Sequence, residues 1–142
     1  METLSDFMIF MATMHKRFNK MMAKALLPYG LNGMHAIYLK AISDNPGITL
    51  KELSTTVHCD GAHTSRAIAT LTQKKFVCDD RKDASQKKYK LFLTEAGQNA
   101  KKDVNQKMDV FHQDTLNILS SEEQKIFLEL IQKFLVNFNT DN

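Results

Sequence analysis

The side chains best suited to chemistry in this sequence are hydrogen-bond donors gathered in its middle. From Asp60 to Lys90 eight basic residues stand against four acidic ones, whereas residues 91–142 carry five against eight and residues 1–59 six against four. A cationic stretch inside a chain of net charge +3 is the footprint of a polyanion partner. Within it, Ala62-His63-Thr64-Ser65-Arg66 joins an imidazole, two hydroxyls and a guanidinium to a small residue that lets a backbone come close. Groups of these types hydrogen-bond to base edges or phosphates. Arg81, Lys82, Lys87, Lys88 and Lys90 follow as phosphate-seeking charges, which set affinity and salt dependence but not sequence choice.

Other chemistries find little support. The sequence has no phosphate-cradling glycine loop, nucleophile motif or clustered metal ligands, so no enzyme, cofactor or metal is expected. The two cysteines, Cys59 and Cys78, match no zinc or CxxC spacing and are expected as reduced thiols. Cys59 stands just before an expected helix N-terminus, whose dipole would favour a thiolate, so redox sensing through Cys59 is kept as an alternative.

The elements that must position these donors are legible from periodicity. Leu4, Phe7, Met8, Met11, Met14, Phe18, Met21, Met22 and Leu26 recur at three- and four-residue steps and predict a long helix ended by Pro28 and Gly30. A second helix opens at Asn32 and carries Met34, Ile37, Tyr38, Ala41 and Ile42 until Asp44-Asn45-Pro46-Gly47 breaks it. Thr49-Leu50-Lys51-Glu52 is a capping box for a short helix with Leu50, Leu53 and Val57 inward. His58-Cys59-Asp60 interrupts, and Asp60 caps a helix from Gly61 to about Lys74. That helix turns Ala67, Ile68 and Leu71 inward and leaves Ala62, His63, Ser65, Arg66, Ala69 and Thr70 outside. Two helices joined by so short a turn have the shape of a helix-turn-helix.

Phe76-Val77-Cys78 and Lys87 to Leu93 read as strands joined by a polar loop, a β-wing behind the helix pair. Thr94 caps a fifth helix, and Ser120-Ser121-Glu122-Glu123 is a capping box for a sixth, with Ile126, Phe127, Leu130, Ile131, Phe134, Leu135 and Phe138 in one stripe. The oily faces of the first, fifth and sixth helices exceed what one small domain can cover, which predicts a homodimer built from them. At 142 residues the chain fits one domain with a sizeable core. Asp6 and His15-Lys16-Arg17 interrupt the N-terminal apolar run before a membrane span accumulates, so a cytoplasmic protein with no membrane partner is expected.

This order resembles the MarR/SlyA family of winged helix-turn-helix transcriptional regulators over nearly the whole chain. The specific matches are Thr49-x-x-Glu52-Leu53, Thr64-Ser65-Arg66, Leu71-x-x-Lys74 before Phe76-Val77, and Leu93-Thr94-x-x-Gly97. The resemblance implies a mainly α fold with a small β-wing, organised as a single domain over 1–142. Residues 31–94 would form the DNA-binding lobe, and 1–30 with 95–142 the dimerisation helices. It implies a repressor of a pseudo-palindromic double-stranded operator, with half-sites about 10 bp apart. The expected DNA contacts are Thr49, Ala62, His63, Thr64, Ser65, Arg66, Thr70, Arg81, Lys82, Lys87, Lys88 and Lys90. The resemblance further implies a small aromatic or phenolic effector, with Met11, His15, Met34, His35, Tyr38, Met108, Phe111 and His112 as pocket candidates.

Three departures from the family pattern stand out. Ser85-Gln86-Lys87 replaces the wing's Asp-x-Arg, losing a planar fork suited to a narrow minor groove. Lys75 replaces a glycine at a position expected to be left-handed, at a cost of about 1 kcal/mol. Asp79 replaces an arginine and has the wrong sign for phosphate, leaving Arg81 or Lys82 to substitute. A winged helix serving as a protein-interaction module without DNA binding is the remaining alternative.

Overall fold

The structure, a computed structural model, describes residues 2–138. Among these residues six α-helices run in the order α1 (Glu2–Leu26), α2 (Gly33–Asp44), α3 (Leu50–Thr56), α4 (Gly61–Gln73), α5 (Glu95–Leu116) and α6 (Ser121–Phe138), with a 3-10 turn (Leu27–Tyr29) after α1 and strands β1 (Val77–Asp79) and β2 (Leu91–Leu93) between α4 and α5. The expected helices are all present. The returning strand is shorter than expected, because Lys87 to Lys90 form no regular ladder and only Leu91–Leu93 do.

Helix ends follow local chemistry. Asn32 Oδ1 accepts from the amides of Met34 and His35, and His35 Nδ1 accepts from the Asn32 amide at 3.1 Å, so a histidine completes the box that starts α2. Thr49 and Glu52 exchange the two bonds of a capping box at 3.3 and 3.0 Å. Ser120 and Glu123 do the same before α6. Each such cap stabilises its helix by about 1 kcal/mol.

Both helices of the helix-turn-helix end in Schellman motifs closed by side chains that are unusual there. After α3, His58 adopts φ 56° while the amides of His58 and Cys59 bond to Thr55 and Ser54 carbonyls. After α4, Lys75 adopts φ 65° while the amides of Lys75 and Phe76 bond to Thr72 and Leu71 carbonyls. Glycine is the usual occupant because a Cβ is strained in this region. Lys75 thus meets its expected conformation; His58 was not foreseen.

The core forms where α2 meets its neighbours. Tyr38, Leu39 and Ile42 of α2 are fully buried together with Met22 and Leu26 of α1, Leu53 of α3, Leu71 of α4 and Leu91 of β2. Burying a side chain of this size contributes roughly 1.5–3 kcal/mol, so α2 acts as the axle on which the helix-turn-helix is mounted. Ile37, one of the apolar residues carried by α2, lies on its outer side at 37% exposure. The strands pair antiparallel with Val77 opposite Leu93, and Ile48 adds an isolated bridge to Leu91 on the other edge. Thr94 ties the wing to α5, its hydroxyl donating to the Lys75 carbonyl at 2.6 Å and accepting from the Gly97 amide at 3.1 Å.

Beyond this core the outer helices keep their apolar faces open. On α1, Leu4, Phe7, Met8, Ile9, Phe10 and Met11 are exposed, and α6 buries no residue while Ile126, Leu130, Phe134 and Phe138 stand 47–59% exposed. Among the described residues no helix is long and apolar enough to cross a membrane.

Candidate nucleic-acid interface

Asp60 starts α4 by accepting from the His63 amide at 2.6 Å, which places the next residues on the first turns of an outward-facing helix. Ala62, Ser65, Arg66 and Ala69 are exposed and His63 and Thr70 half-buried. Arg66 has no acidic partner among the described residues, so its fork is unspent. Thr64 differs from the sequence-based expectation of a DNA contact: it is fully buried, and its hydroxyl lies 3.1 Å from that of Tyr38. The cause is helical geometry, since Thr64 falls on the same stripe as Ala67, Ile68 and Leu71.

The wing is built by its acids. Asp79 accepts from the Arg81 amide at 2.9 Å and from its guanidinium at 3.1 and 2.8 Å, and the guanidinium carbon lies 3.9 Å above the Tyr89 ring. The Arg81 fork beside Asp79 holds that carboxyl below the usual carboxylate range. Asp80 Oδ1 accepts from the Lys90 amide at 2.7 Å, and Asp83 Oδ1 from the Ser85 amide at 2.9 Å. Asp79 is therefore an internal counter-ion, and Arg81 is largely committed to it. Lys82, Lys87, Lys88 and Lys90 remain exposed and form no close ion pair among the described residues, Lys88 and Lys90 feeling Glu52 only at longer range.

Between the wing and the start of α3 a small cleft brings Thr49, Lys51 and Glu52 beside Lys87, Lys88 and Tyr89. The Thr49 amide, joined by Lys88 and Lys90 at longer range, holds the Glu52 carboxyl low. Lys51 was not among the residues named from sequence. It stands two residues after the Thr49 cap, exposed on the first turn of α3.

A larger cleft of about 1020 Å³ opens between α1, α2 and α4. Of the expected pocket residues, His15, Met34 and His35 line it, joined by Phe18, His63 and Arg66. The other five are not brought there. Met11 and His112 are exposed on α1 and α5, Tyr38 is buried in the core, Met108 packs against that core, and Phe111 meets Phe18 edge-on at 6.2 Å. Burial, with Lys74 and His63 nearby, lowers the His35 pKa. Among the described residues no group of three or more His, Cys, Asp or Glu could hold a metal ion.

No protein-family model matches the chain. The HTH-type transcriptional regulator BilQ of Clostridioides difficile (strain CD3) is 30% identical over 92 residues, 64% of this chain and 62% of that protein. The match thus spans less than two thirds of that relative's length. Among solved structures, a MarR protein from Peptoclostridium difficile DA00132 superposes with a TM-score of 0.85 at 20% identity, covering 96% of this chain and 89% of the other. The transcriptional regulator SlyA gives 0.84 at 21% identity, covering 96% of both chains. MepR of S. aureus, solved as a complex with DNA, gives 0.77 at 19% identity, covering 91% and 94%. The capped helix pair, the two-stranded wing and the flanking long helices described above therefore make up the MarR winged helix-turn-helix fold.

Proposed function

We propose that this protein is a transcriptional regulator that binds double-stranded DNA as a homodimer, inserting α4 into the major groove. The observation that carries this reading is the outer face of α4. Ala62, Ser65 and Arg66 are exposed on its first turns, beside a wing whose four exposed lysines form no close ion pair among the described residues. A helix with small residues and an unpaired arginine at its N-terminal end fits a groove, and flanking lysines fit phosphates. The BilQ and SlyA likenesses and the MepR complex with DNA support the same reading.

The dimer would bury the apolar faces of α1 and α6, with α5 beside them, and carry two copies of α4 to successive major grooves of a near-palindrome. Residues 139–142, part of the segment assigned to dimerisation from sequence, lie outside the described residues. The cleft lined by His15, Met34, His35, His63 and Arg66 is the proposed seat of a small aromatic or phenolic effector. An occupant there would touch two of the groups offered to DNA. Repression relieved by that occupant is the mode of control this arrangement favours.

Selection of bound fragments from a random duplex pool, followed by a salt series on the selected site, tests the proposal. A pseudo-palindromic consensus and an affinity falling steeply with salt are expected. No enrichment, with a flat salt response, would instead favour a protein-interaction module.

A further inference from the structure

Tyr38 is a core residue with a polar end that reaches α4 from behind. Its ring is fully buried in α2, yet its hydroxyl lies 3.0 Å from His63 Nδ1 and 3.1 Å from Thr64 Oγ1, both on the first turn of α4. The ring also stacks on the His63 imidazole, with centroids 6.1 Å apart and planes at 28°. A phenylalanine would fill the same core space; the hydroxyl adds these two bonds and a weaker interaction with the Cys59 thiol.

Proton counting decides the direction of the chain. Thr64 is fully buried, and among the described residues Tyr38 is the partner recorded for its hydroxyl. If Tyr38 donated to Thr64, the Thr64 proton would be left buried without an acceptor. If Thr64 donates to Tyr38 and Tyr38 donates to His63 Nδ1, every proton is used; the Cys59 sulfur nearby is too weak an acceptor to draw the Tyr38 proton from an imidazole nitrogen. His63 must then carry its own proton on Nε2, the nitrogen turned away from Tyr38.

Resting on the DNA-binding reading above, we infer that Tyr38 is a positioning residue for base recognition: with Thr64 behind it, it fixes His63 as a neutral imidazole whose Nε2–H donates into the major groove. Such a donor selects a base-edge acceptor, such as purine N7 or guanine O6, and disfavours the amino groups of cytosine and adenine at the same place. Half-buried His63 is held at Nδ1 from within the fold and by its own amide on Asp60, so ring and backbone are both anchored. Specificity would then depend on a residue that never meets DNA.

The test combines imidazole ¹⁵N spectra of the free protein with binding to the selected site and to variants of it at the base facing His63. Wild type is expected to show the Nε2–H tautomer at His63. Tyr38→Phe should release it to a mixture and weaken binding to the selected site about tenfold, leaving affinity for random duplex unchanged. In a His63→Ala background the same change should have no further effect. Thr64→Val keeps the core volume and should loosen the tautomer in the same direction, so it carries the test if Tyr38→Phe fails to fold. Additive effects of Tyr38→Phe and His63→Ala, or an Nδ1–H ring in wild type, would overturn the inference while leaving DNA binding intact. If wild type binds no duplex at all, the regulator reading falls and this one with it.

Discussion

The carbonyl oxygen of Phe76, just before β1, lies 2.1 Å from where a Cβ on Gly97 would stand. The first turn of α5 can therefore cross the wing's base only without a side chain. Gly97→Ala, which in a free helix would stabilise by about 1 kcal/mol, should here destabilise by roughly 1–3 kcal/mol. Urea denaturation measures it, and an unchanged midpoint would mean that α5 does not cross there.

Lys75 and His58 make the opposite prediction. Each closes a helix in the left-handed region that glycine occupies without strain. Lys75→Gly and His58→Gly should each raise stability by up to about 1 kcal/mol, part of the relief being offset by the greater freedom of the unfolded glycine. A lower midpoint for both would show that these side chains make contacts worth more than the strain.

His35 gives the stability a pH dependence. Its folded pKa is lowered, first by burial and then by Lys74 and His63, and its Nδ1 must stay unprotonated to accept from the Asn32 amide. Below the unfolded value of about 6.5 the unfolded chain binds a proton that the folded chain refuses. Stability from this group is thus complete above about pH 6.5 and is lost as pH falls from there toward the lowered folded value. His35→Gln keeps a capping-box partner without the titration, so thermal midpoints of the two proteins should converge near neutrality and separate, in favour of the variant, on acidification.

Arg66 and the wing lysines should fail differently. Arg66→Ala is expected to cost roughly 1–3 kcal/mol at the selected operator and to relax the sequence preference. Lys88→Ala should weaken binding to all sequences alike and lower the salt slope by about one. Gel-shift titrations at several salt concentrations separate the two, and equal losses on random and selected duplex for Arg66→Ala would move it to the phosphate class.

Phe134 is 59% exposed on α6, a helix that buries nothing in the single chain. Phe134→Glu should weaken self-association by roughly 1.5–3 kcal/mol per buried ring and shift sedimentation toward the monomer. Identical sedimentation of both proteins would remove α6 from the interface.

Most of the fold was legible because each helix after α1 begins at a side chain with one evident job. Asn32, Thr49, Asp60, Thr94 and Ser120 were read as caps from their types, and each accepts the expected amide. What stayed hidden depended on partners distant in sequence. Thr64 sits amid polar neighbours and gives no sign that its hydroxyl meets Tyr38, 26 positions earlier. Asp79 looked like a misplaced charge because its value lies in a contact with Arg81, which is itself laid over the Tyr89 face. The pocket candidates were chosen by type along α1, α2 and α5, but the cleft opens toward α4, whose His63 and Arg66 had been assigned outward. The bridge of Ile48 to Leu91 had no sequence signal, since a single residue pair has no period.

The wing's lack of regular strand between Asp80 and Lys90 does not leave it loose. Arg81 is gripped by Asp79 and laid on Tyr89, and Asp80 holds the far side of the loop through the Lys90 amide. The loop thus surrenders its conformational entropy when the chain folds rather than when a partner arrives. Its lysines reach an anion already spaced, which favours rapid capture with little rearrangement, and cutting the Asp79 tether would slow that first encounter before it altered any direct contact.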